Sequence, residues 1–533
     1  MAFLVSTPVG SPSEGDDDRD GLSPLDVVIA PIDGPRGGMG SAVRWMGSVQ
    51  VGTQVIRVLG TVGLARLLTP ADFGLVALVS VIAGMFEQVL GDTGTTSALV
   101  RHDRLTQRLA SSVLFWNLMV GAATTTFFMV AARPLATLLG DVTATGVARV
   151  IGCLAFVNAT TYVQTGLFRR TLQFKKVATA NLVNVSVTMG ATLVLAALGW
   201  GAWALAVGTV TGSAAAAALT WIWSDWRPSL HFSWHDLTPI RGFSARLSLQ
   251  NFFTYSIQVG DRFLVGRLLG VTDLGYYGMA NRLLNYPLQT SAQTFREVVY
   301  PNLARIKDDD EAMRITYRRT VGGIALVMVP LCLTIAAVAG PMVHVVLGRQ
   351  WIPAIPLISI IAVVGALQSL TTTTGPIYIA KGRVDLLLRW SSFSCVVLLG
   401  CYLIGARWGV TGVGLGFLAG ITMLAYPAFR IPLRLIDARP SYLLGAVAGP
   451  VFCGVAGAAA AFGTVRAFAA AARPEWAALL AGLAVSGVVT VGLLAVLRPP
   501  AWRDGLTVLM RRRRSPRPGR QDPVAGTPAA EER

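Results

Sequence analysis

The sequence predicts an all-α, polytopic membrane protein with about 14 transmembrane helices, arranged as two six-helix lobes and a C-terminal helix pair. Three observations support this fold class: the composition, a series of apolar runs, and a short pattern that occurs twice. Only 14% of the 533 residues are charged, and the mean hydropathy is +0.57. Soluble domains carry roughly 25% charged residues, so this chain has too few charges for a water-facing surface.

The apolar runs supply the predicted spans, because about 20 apolar residues in a helix cross a hydrocarbon core of about 30 Å. The connections between the runs are short, and most begin or end on glycine, proline or a charged residue. The predicted spans are 43–65, 74–99, 109–131, 146–168, 178–198, 202–223, 246–268, 276–300, 320–347, 354–379, 388–406, 410–430, 442–465 and 475–497.

The distribution of basic residues predicts how these spans are oriented. Loops on one side of the spans hold 21 lysines and arginines, and loops on the other side hold seven. Cytoplasmic loops of membrane proteins are enriched in these residues. The bias therefore predicts a multi-pass protein of the cytoplasmic membrane with both termini in the cytoplasm. It also accounts for the net charge of +17 without a nucleic-acid partner.

A nine-residue pattern occurs after the first and the seventh predicted spans. It consists of Arg-Leu-Leu, three variable residues, Asp, one residue and Gly, and it is RLLTPADFG at 66–74 and RLLGVTDLG at 267–275. The offset is 201 residues at every matching position. Because six spans separate the copies, an even number, both copies follow spans that run outwards. Two parallel repeats related by an axis along the membrane normal are predicted. In each copy the Asp is expected to cap a helix that starts at the Gly.

The repeat also sets the predicted domain organisation. A weaker echo, Trp200-Gly201 and Trp408-Gly409, precedes the sixth and twelfth spans and supports the same division. The predicted parts are a disordered cytoplasmic leader at 1–40, six-helix lobes at 41–231 and 232–440, an extra helix pair at 441–498 and a basic disordered tail at 499–533. The five cysteines lie inside apolar segments without C-x-x-C spacing. Neither a disulfide framework nor a metal or cofactor site is predicted.

Polar side chains follow one face of three predicted spans. On the first span they are Gln50, Thr53, Gln54, Arg57 and Thr61. On the seventh, 201 residues later, they are Asn251, Thr254, Gln258 and Arg262. On the eighth they are Arg282, Asn285, Gln289, Gln293 and Arg296. An arginine at the membrane centre costs roughly 2.5–3.5 kcal/mol, so these stripes are expected to face protein or a water-filled cavity.

The chemistry of the stripes favours an anionic ligand. Guanidinium groups bind phosphate through paired hydrogen bonds, and stripes on equivalent helices would face each other across the axis between the lobes. The predicted substrate-binding groups are Arg57, Arg262, Arg282, Gln54, Gln258, Asn285 and Gln289. The alternative is a structural role, in which the same residues form salt bridges and amide hydrogen bonds between helices.

Several stretches together resemble the Wzx-type polysaccharide exporters of the multidrug/oligosaccharidyl-lipid/polysaccharide flippase superfamily, especially the colanic-acid and teichuronic-acid branch. They run from about residue 41 to 430 and include GDTGTTSALVRHDRLTQ, VLFWNLMVG, LFRRTLQFKKVATANLV, GDRFLVGRLLGVTDLGYYGMANRLLNYPLQ, VVYPNLARI and GRQWIPAIPLI…GPIYIAKGRVDLLLR. The chain differs from many members in its long leader and its basic tail.

The resemblance implies a flippase for polyprenyl-diphosphate-linked oligosaccharides, which is not an enzyme, with two lobes that rock about a cationic cavity. The expected partners are this substrate and the lipid bilayer, with a polysaccharide polymerase and export machinery as further candidates. Three carboxylates are candidates for ion coupling by a proton or Na⁺: Asp92, Asp261 and Glu87.

Other functions stay open at this stage. A drug or cation exporter of the same superfamily would need a cavity dominated by carboxylates and aromatic rings. A membrane-embedded glycosyltransferase, polymerase or ligase would need catalytic acids or bases and a sizeable outer loop. A flippase for the peptidoglycan precursor shares the architecture, including an extra helix pair.

Overall fold

The computed structural model describes residues 39–90, 96, 99, 105–138, 141–294, 306, 309–439, 441–498 and 502. These residues form seventeen α-helices joined by short turns. The helices are α1 Met39–Leu67, α2 Pro70–Leu90, α3 Gln107–Leu138, α4 Ala144–Ala159, α5 Tyr162–Arg170, α6 Phe174–Ala197, α7 Ala202–Trp223, α8 Thr238–Leu269, α9 Val271–Thr294, α10 Asp310–Ala337, α11 Ala339–Met342, α12 Ile355–Thr371, α13 Gly375–Ala380, α14 Val384–Gly405, α15 Gly409–Arg434, α16 Ser441–Ala470 and α17 Glu475–Leu497.

Every predicted span overlaps one or two of these helices. In the described part of the chain, nine helical stretches are long and apolar enough to cross a membrane, or ten if the bent pair α4–α5 is one span. One of the nine, Asp385–Arg434, contains both α14 and α15. Helices α1, α8 and α9 are not among the nine, because the polar stripes lower their hydropathy. The all-helical, multi-pass architecture is confirmed, and the number fourteen stays a prediction.

Threonine runs interrupt two of the predicted spans. Between α4 and α5 the chain bends by 41°. There the hydroxyls of Thr160 and Thr161 donate to the carbonyls of Val157 and Asn158, at 2.7 and 2.9 Å. A second run forms the 3₁₀ turn Thr372–Thr374, which separates α12 from α13. Hydroxyls that bond to nearby carbonyls compete with regular helix geometry, so the breaks follow from local sequence.

The chain divides into two compact units, and the first takes the described parts of 1–286, 339–361 and 392–420. Its core lies where α2, α3, α4 and α7 meet, around Leu75, Phe128, Val147 and Ala206, all buried. Because lipid tails are as apolar as these side chains, close packing between the helices is what stabilises such a core.

The second unit takes the described parts of 287–338, 362–391 and 421–533. Here α10 packs on α16, and α16 packs on α17. Gly454 of α16 lies against Pro330 of α10, where a Cβ atom would meet the Pro330 Cα at 3.1 Å. The hydroxyls of Thr334 and Ser486 share a hydrogen bond of 2.6 Å between α10 and α17. Small residues and hydroxyls therefore tie the C-terminal helix pair to α10, as is usual for helices packed in a membrane.

The repeated pattern forms a close crossing between α2 and α9. A Cβ atom on Gly74 would lie 1.6 Å from the carbonyl oxygen of Val271, and one on Gly275 would lie 1.8 Å from that of Pro70. Pro70 and Val271 are themselves 201 residues apart, like the two glycines. Each copy of the pattern thus places its glycine against the equivalent carbonyl of the other copy. Such a reciprocal contact is characteristic of a two-fold axis. The crossing therefore supports the prediction of two parallel repeats and explains why glycine recurs.

The predicted role of the aspartates needs a correction. Helices α2 and α9 begin at Pro70 and Val271, four residues before the glycines, so Asp72 and Asp273 lie in the first turn. Asp72 accepts hydrogen bonds from the backbone N and the hydroxyl of Thr69, at 2.9 and 2.7 Å. The Asp72 backbone N donates to that hydroxyl at 3.3 Å. Thr69 is therefore the N-cap of a capping box, and Pro70 suits the first helical position.

A short segment after α11 satisfies the carbonyls at the C-terminal end of α1. Trp351 is fully buried, and its Nε1 donates to the Ala65 oxygen at 2.7 Å. Gln350 Nε2 donates to the Ala65 and Leu68 oxygens. The last carbonyls of a helix have no partner within it, so these donors replace water. The Trp351 ring contacts Phe73 edge-on, with 5.5 Å between centroids, and thereby joins this cap to the repeated pattern.

Candidate functional site

The polar residues of α1 do not share one environment. Thr53 and Thr61 are buried, at 3% and 4% exposure, whereas Gln54 is half-buried and Arg57 is exposed. The reason is that α1 packs on α6 through Gly60, against the Met189 side chain. Arg57 lies ten residues before the end of α1, about 15 Å along the axis. Within the described residues, no carboxylate forms an ion pair with it.

Helix α8 carries two of the predicted substrate-binding residues and one of the predicted coupling carboxylates. Gln258 is exposed and Arg262 is half-buried. The Asp261 carboxylate accepts a hydrogen bond of 2.7 Å from the Tyr277 hydroxyl of α9, and Tyr277 is fully buried. The other carboxylate oxygen of Asp261 accepts a hydrogen bond from the Arg262 backbone N at 2.7 Å. The bond to Tyr277 joins Asp261 of α8 to α9, and the coupling role of Asp261 stays a prediction.

On α9 the structure describes one of the three predicted side chains. Arg282 is exposed, and its guanidinium carbon lies 5.3 Å above the Phe73 ring of α2, in a cation–π contact. Because Phe73 precedes Gly74, this arginine lies beside the α2–α9 crossing. The side chains of Asn285 and Gln289, and the whole of Asp92, lie outside what the structure describes.

Glu87 belongs to a polar cluster that the sequence did not reveal. Its Oε1 accepts from Asn158 Nδ2 at 3.0 Å and from the Tyr162 hydroxyl at 3.2 Å, both next to the α4–α5 bend. A small pocket here is also lined by Asn117 and Thr124 of α3. Polar residues inside apolar runs are functional candidates by default, and that signal could have identified Asn117 and Asn158.

Tyr255 of α8 connects this cluster with the predicted cationic site. Its ring lies across Gly84 of α2, where a Cβ atom would be 2.0 Å from the hydroxyl oxygen. The hydroxyl donates to the Ser80 carbonyl at 3.4 Å. Arg262 follows Tyr255 by two helical turns on α8, and Glu87 follows Gly84 by about one turn on α2. The contact between Tyr255 and Gly84 thus joins the helix of a predicted substrate group to the helix of a predicted coupling group.

The sequence matches a known protein family. A family model described as "Polysaccharide biosynthesis protein" matches residues 63–356. The chain belongs to this family. This family assignment agrees with the resemblance to polysaccharide exporters that the sequence motifs indicated.

Three relatives are transport or biosynthesis proteins of bacterial polysaccharides. The chain is 26% identical over 367 residues to the succinoglycan biosynthesis transport protein ExoT of Rhizobium meliloti, covering 67% of this chain and 74% of that protein. It is 27% identical over 393 residues to the lipopolysaccharide biosynthesis protein WzxC of Escherichia coli, covering 71% and 77%. It is 23% identical over 311 residues to the teichuronic acid biosynthesis protein TuaB of Bacillus subtilis, covering 58% and 64%. The predicted resemblance to Wzx-type exporters is confirmed.

Solved structures with the same fold are flippases and transporters. The lipid II flippase MurJ, in an inward closed conformation, matches with a TM-score of 0.67 at 11% identity, over 86% of this chain and 99% of that one. An inward-facing multidrug transporter of the MOP superfamily matches with a TM-score of 0.56 at 17% identity, over 72% and 94%. At such identities the likeness establishes the fold. Together with the family, it supports a transporter rather than an enzyme.

Proposed function

We propose that the chain is a flippase that moves polyprenyl-diphosphate-linked oligosaccharides from the inner to the outer leaflet of the cytoplasmic membrane, by alternating access. The product would serve extracellular or cell-surface polysaccharide synthesis, next to a polymerase and export machinery. The family, the similarity to ExoT, WzxC and TuaB, and the fold support this proposal. The orientation, with both termini cytoplasmic, rests on the distribution of basic residues.

The observation that carries the proposal is the exposed position of Arg57 on α1. This side chain is exposed far from the ends of a membrane helix, and no described carboxylate neutralises it. An arginine exposed to hydrocarbon is costly, so in this proposal the surface around Arg57 faces a water-filled cavity. Arg282, also exposed, and Arg262, half-buried, add positive charge on α9 and α8. A diphosphate matches such groups, whereas a cationic drug would be repelled.

Glu87 is the coupling group in this proposal. Asp261 is already engaged by the Tyr277 hydroxyl, whereas Glu87 borders a pocket and lies about one turn after Gly84, on which Tyr255 of α8 packs. An anion bound at Arg262 would favour a proton or Na⁺ at Glu87, because the anion offsets the added positive charge. By linkage, the cation would strengthen anion binding by the same factor.

Alanine and lysine variants of Arg57, Arg262 and Arg282 test the anion site. The assay uses cells that lack their own exporter and measures both the membrane abundance of each variant and the accumulated inner-leaflet lipid-linked sugar. We expect normal abundance and loss of most export for alanine. Lysine should retain part of it if charge is sufficient, and none if the guanidinium fork is needed. Arg149→Ala is the matched control, because Arg149 is exposed at the start of α4.

Two outcomes would contradict the assignment. Normal export in all three alanine variants would place the site elsewhere. Low abundance that is restored when a carboxylate is also removed would show a structural ion pair instead, because a lone buried charge is destabilising.

A flippase for the peptidoglycan precursor is the second candidate, favoured by the likeness to MurJ over 99% of that chain. Complementation separates the two. We expect the chain to restore polysaccharide export in a strain without its Wzx-type exporter and not to support growth of a strain depleted of MurJ. The opposite result would favour the second candidate.

A further inference from the structure

A cavity of about 740 Å³ opens in the second unit, where α15 ends and α16 begins. Its walls are apolar, and they come from Leu370 of α12, Phe429 of α15 and Leu444 and Val447 of α16. Ligand pockets in proteins measure roughly 300–1,000 Å³, so this groove has the size of a binding site. The groove lining includes no residue of α1, α2, α8 or α9, which carry the proposed substrate residues.

Three arginines line the same groove. Arg430, Arg434 and Arg439 are all exposed, and they lie on the last turns of α15 and in the connection to α16. Arg430 stacks on the Tyr426 ring, 5.6 Å from its centroid, and donates to its hydroxyl at 3.3 Å. Among the described residues, none pairs with Arg434 or Arg439, and the groove lining contains no carboxylate.

Three other cations near the predicted cytoplasmic connections of this unit form ion pairs. Arg314 pairs with Glu311, and Lys381 with Asp310 at 2.6 Å. Arg383 pairs with Asp385 at 3.3 Å.

The turn beside the groove contains one carboxylate, and this carboxylate does not pair with a groove arginine. Asp437 lies in this turn, but its contact is through the backbone oxygen, which accepts from Arg314 Nη1 at 3.2 Å. Among the described residues, no carboxylate therefore neutralises the three groove arginines, although Asp437 is nearby in the chain.

We propose that this groove binds one anionic glycerophospholipid of the cytoplasmic leaflet. The phosphate would lie among Arg430, Arg434 and Arg439, and an acyl chain would follow the apolar wall formed by Phe429, Leu444 and other lining residues. Basic pockets between helices at the cytoplasmic side suit such head groups, and the apolar wall suits the chain. The lining contains two hydroxyls, from Tyr426 and Ser441, and no amide, so it offers little to recognise a sugar. The chemistry thus favours a phospholipid over a lipid-linked oligosaccharide.

The test measures lipid binding to the purified full-length protein by native mass spectrometry. Phosphatidylglycerol is titrated against phosphatidylcholine with the same acyl chains. We expect one saturable phosphatidylglycerol site in the wild type. Each arginine near an anionic lipid contributes roughly fivefold in affinity, so replacing Arg430, Arg434 and Arg439 with glutamine should weaken binding on the order of 100-fold.

The matched control removes three positive charges elsewhere. Arg169, Arg241 and Arg389 are exposed, lie in or next to predicted cytoplasmic connections and are absent from the groove lining. Their triple glutamine variant should bind phosphatidylglycerol like the wild type. Equal weakening in this control would show attraction by the general surface charge and would overturn the proposal.

A second variant fills the groove and keeps its charge. Ala425→Trp with Ala438→Trp places bulk at two lining positions and leaves the three arginines in place. We expect this variant to lose the phosphatidylglycerol site while eluting as a single species in size-exclusion chromatography. Retained binding would contradict a groove site. Displacement of phosphatidylglycerol from the wild type by equimolar polyprenyl diphosphate would instead assign the groove to the substrate and overturn the phospholipid proposal.

Discussion

The α2–α9 crossing allows a quantitative prediction about the repeated glycines. Real Cβ atoms come no closer than about 3.0 Å to a backbone oxygen, whereas the positions built on Gly74 and Gly275 lie 1.6 and 1.8 Å from Val271 and Pro70. Alanine would therefore force the crossing open by about 1.4 Å at Gly74 and about 1.2 Å at Gly275. A gap of 0.5–1 Å already removes roughly a quarter to a half of the van der Waals attraction between facing atoms.

The expected cost follows from these distances. Overpacking costs roughly 1–3 kcal/mol, and here the clashing atoms are backbone, which cannot rotate away. Alanine recovers roughly 0.5–1 kcal/mol of helix preference relative to glycine. We expect a net loss of about 1–2 kcal/mol for Gly74→Ala and for Gly275→Ala. In the double variant the loss should be smaller than the sum, because one opened crossing admits both methyl groups.

The assay heats purified protein in detergent and measures the fraction that remains monodisperse in size-exclusion chromatography. Each single variant should lose half of this fraction at a temperature a few degrees below that of the wild type. Gly278→Ala is the matched control, because Gly278 lies on α9 with open space around its Cβ position. It should be unchanged or slightly stabilised. Wild-type behaviour of both single variants, or strictly additive losses, would refute the reciprocal crossing.

Two further predictions concern orientation and the cap of α1. In a variant without native cysteines, a cysteine at Asp141 should react with an impermeant thiol reagent added to intact cells, and one at Gln173 should not; the reverse pattern would invert the proposed orientation. Trp351→Phe should destabilise the protein by about 1 kcal/mol, since the Nε1 bond to the Ala65 oxygen is lost, and Trp351→Ala by roughly 3–5 kcal/mol, since a fully buried ring leaves a cavity. Equal apparent melting temperatures for Trp351→Phe and Trp351→Ala would contradict a packed role for the ring.

Most of the helical architecture was predictable because helix position is a local property of the chain. The predicted span 202–223 coincides with α7, and 475–497 coincides with α17. Where a predicted span departs from one straight helix, a local cause is present. The predicted span 146–168 is two helices because Thr160 and Thr161 bond back to the carbonyls before them.

The candidate site was less predictable. Periodicity placed Thr53 and Arg57 on one polar stripe of α1, but packing against α6 buries Thr53 and leaves Arg57 exposed. The sequence identified Glu87 as a carboxylate inside a span, but not its partners Asn158 and Tyr162, which lie more than 70 residues away. Hydrophobic periodicity reports which side of a helix is polar, and it carries no information on which helix faces that side.

The sequence by itself determined that this protein is a helical membrane protein built from two repeats, because hydropathy, charge bias and a conspicuous offset of 201 residues are all readable along the chain. Only the tertiary structure decided what the repeat is for. Gly74 and Gly275 would each pass for a simple turn residue, and their function appears when α2 and α9 meet and each glycine lies on the other copy's carbonyl. Tyr255 likewise had no signal of its own, because its contacts with Gly84 and Ser80 join helices that are distant in sequence. Contacts of this kind depend on how whole helices pack, which no local window of residues specifies.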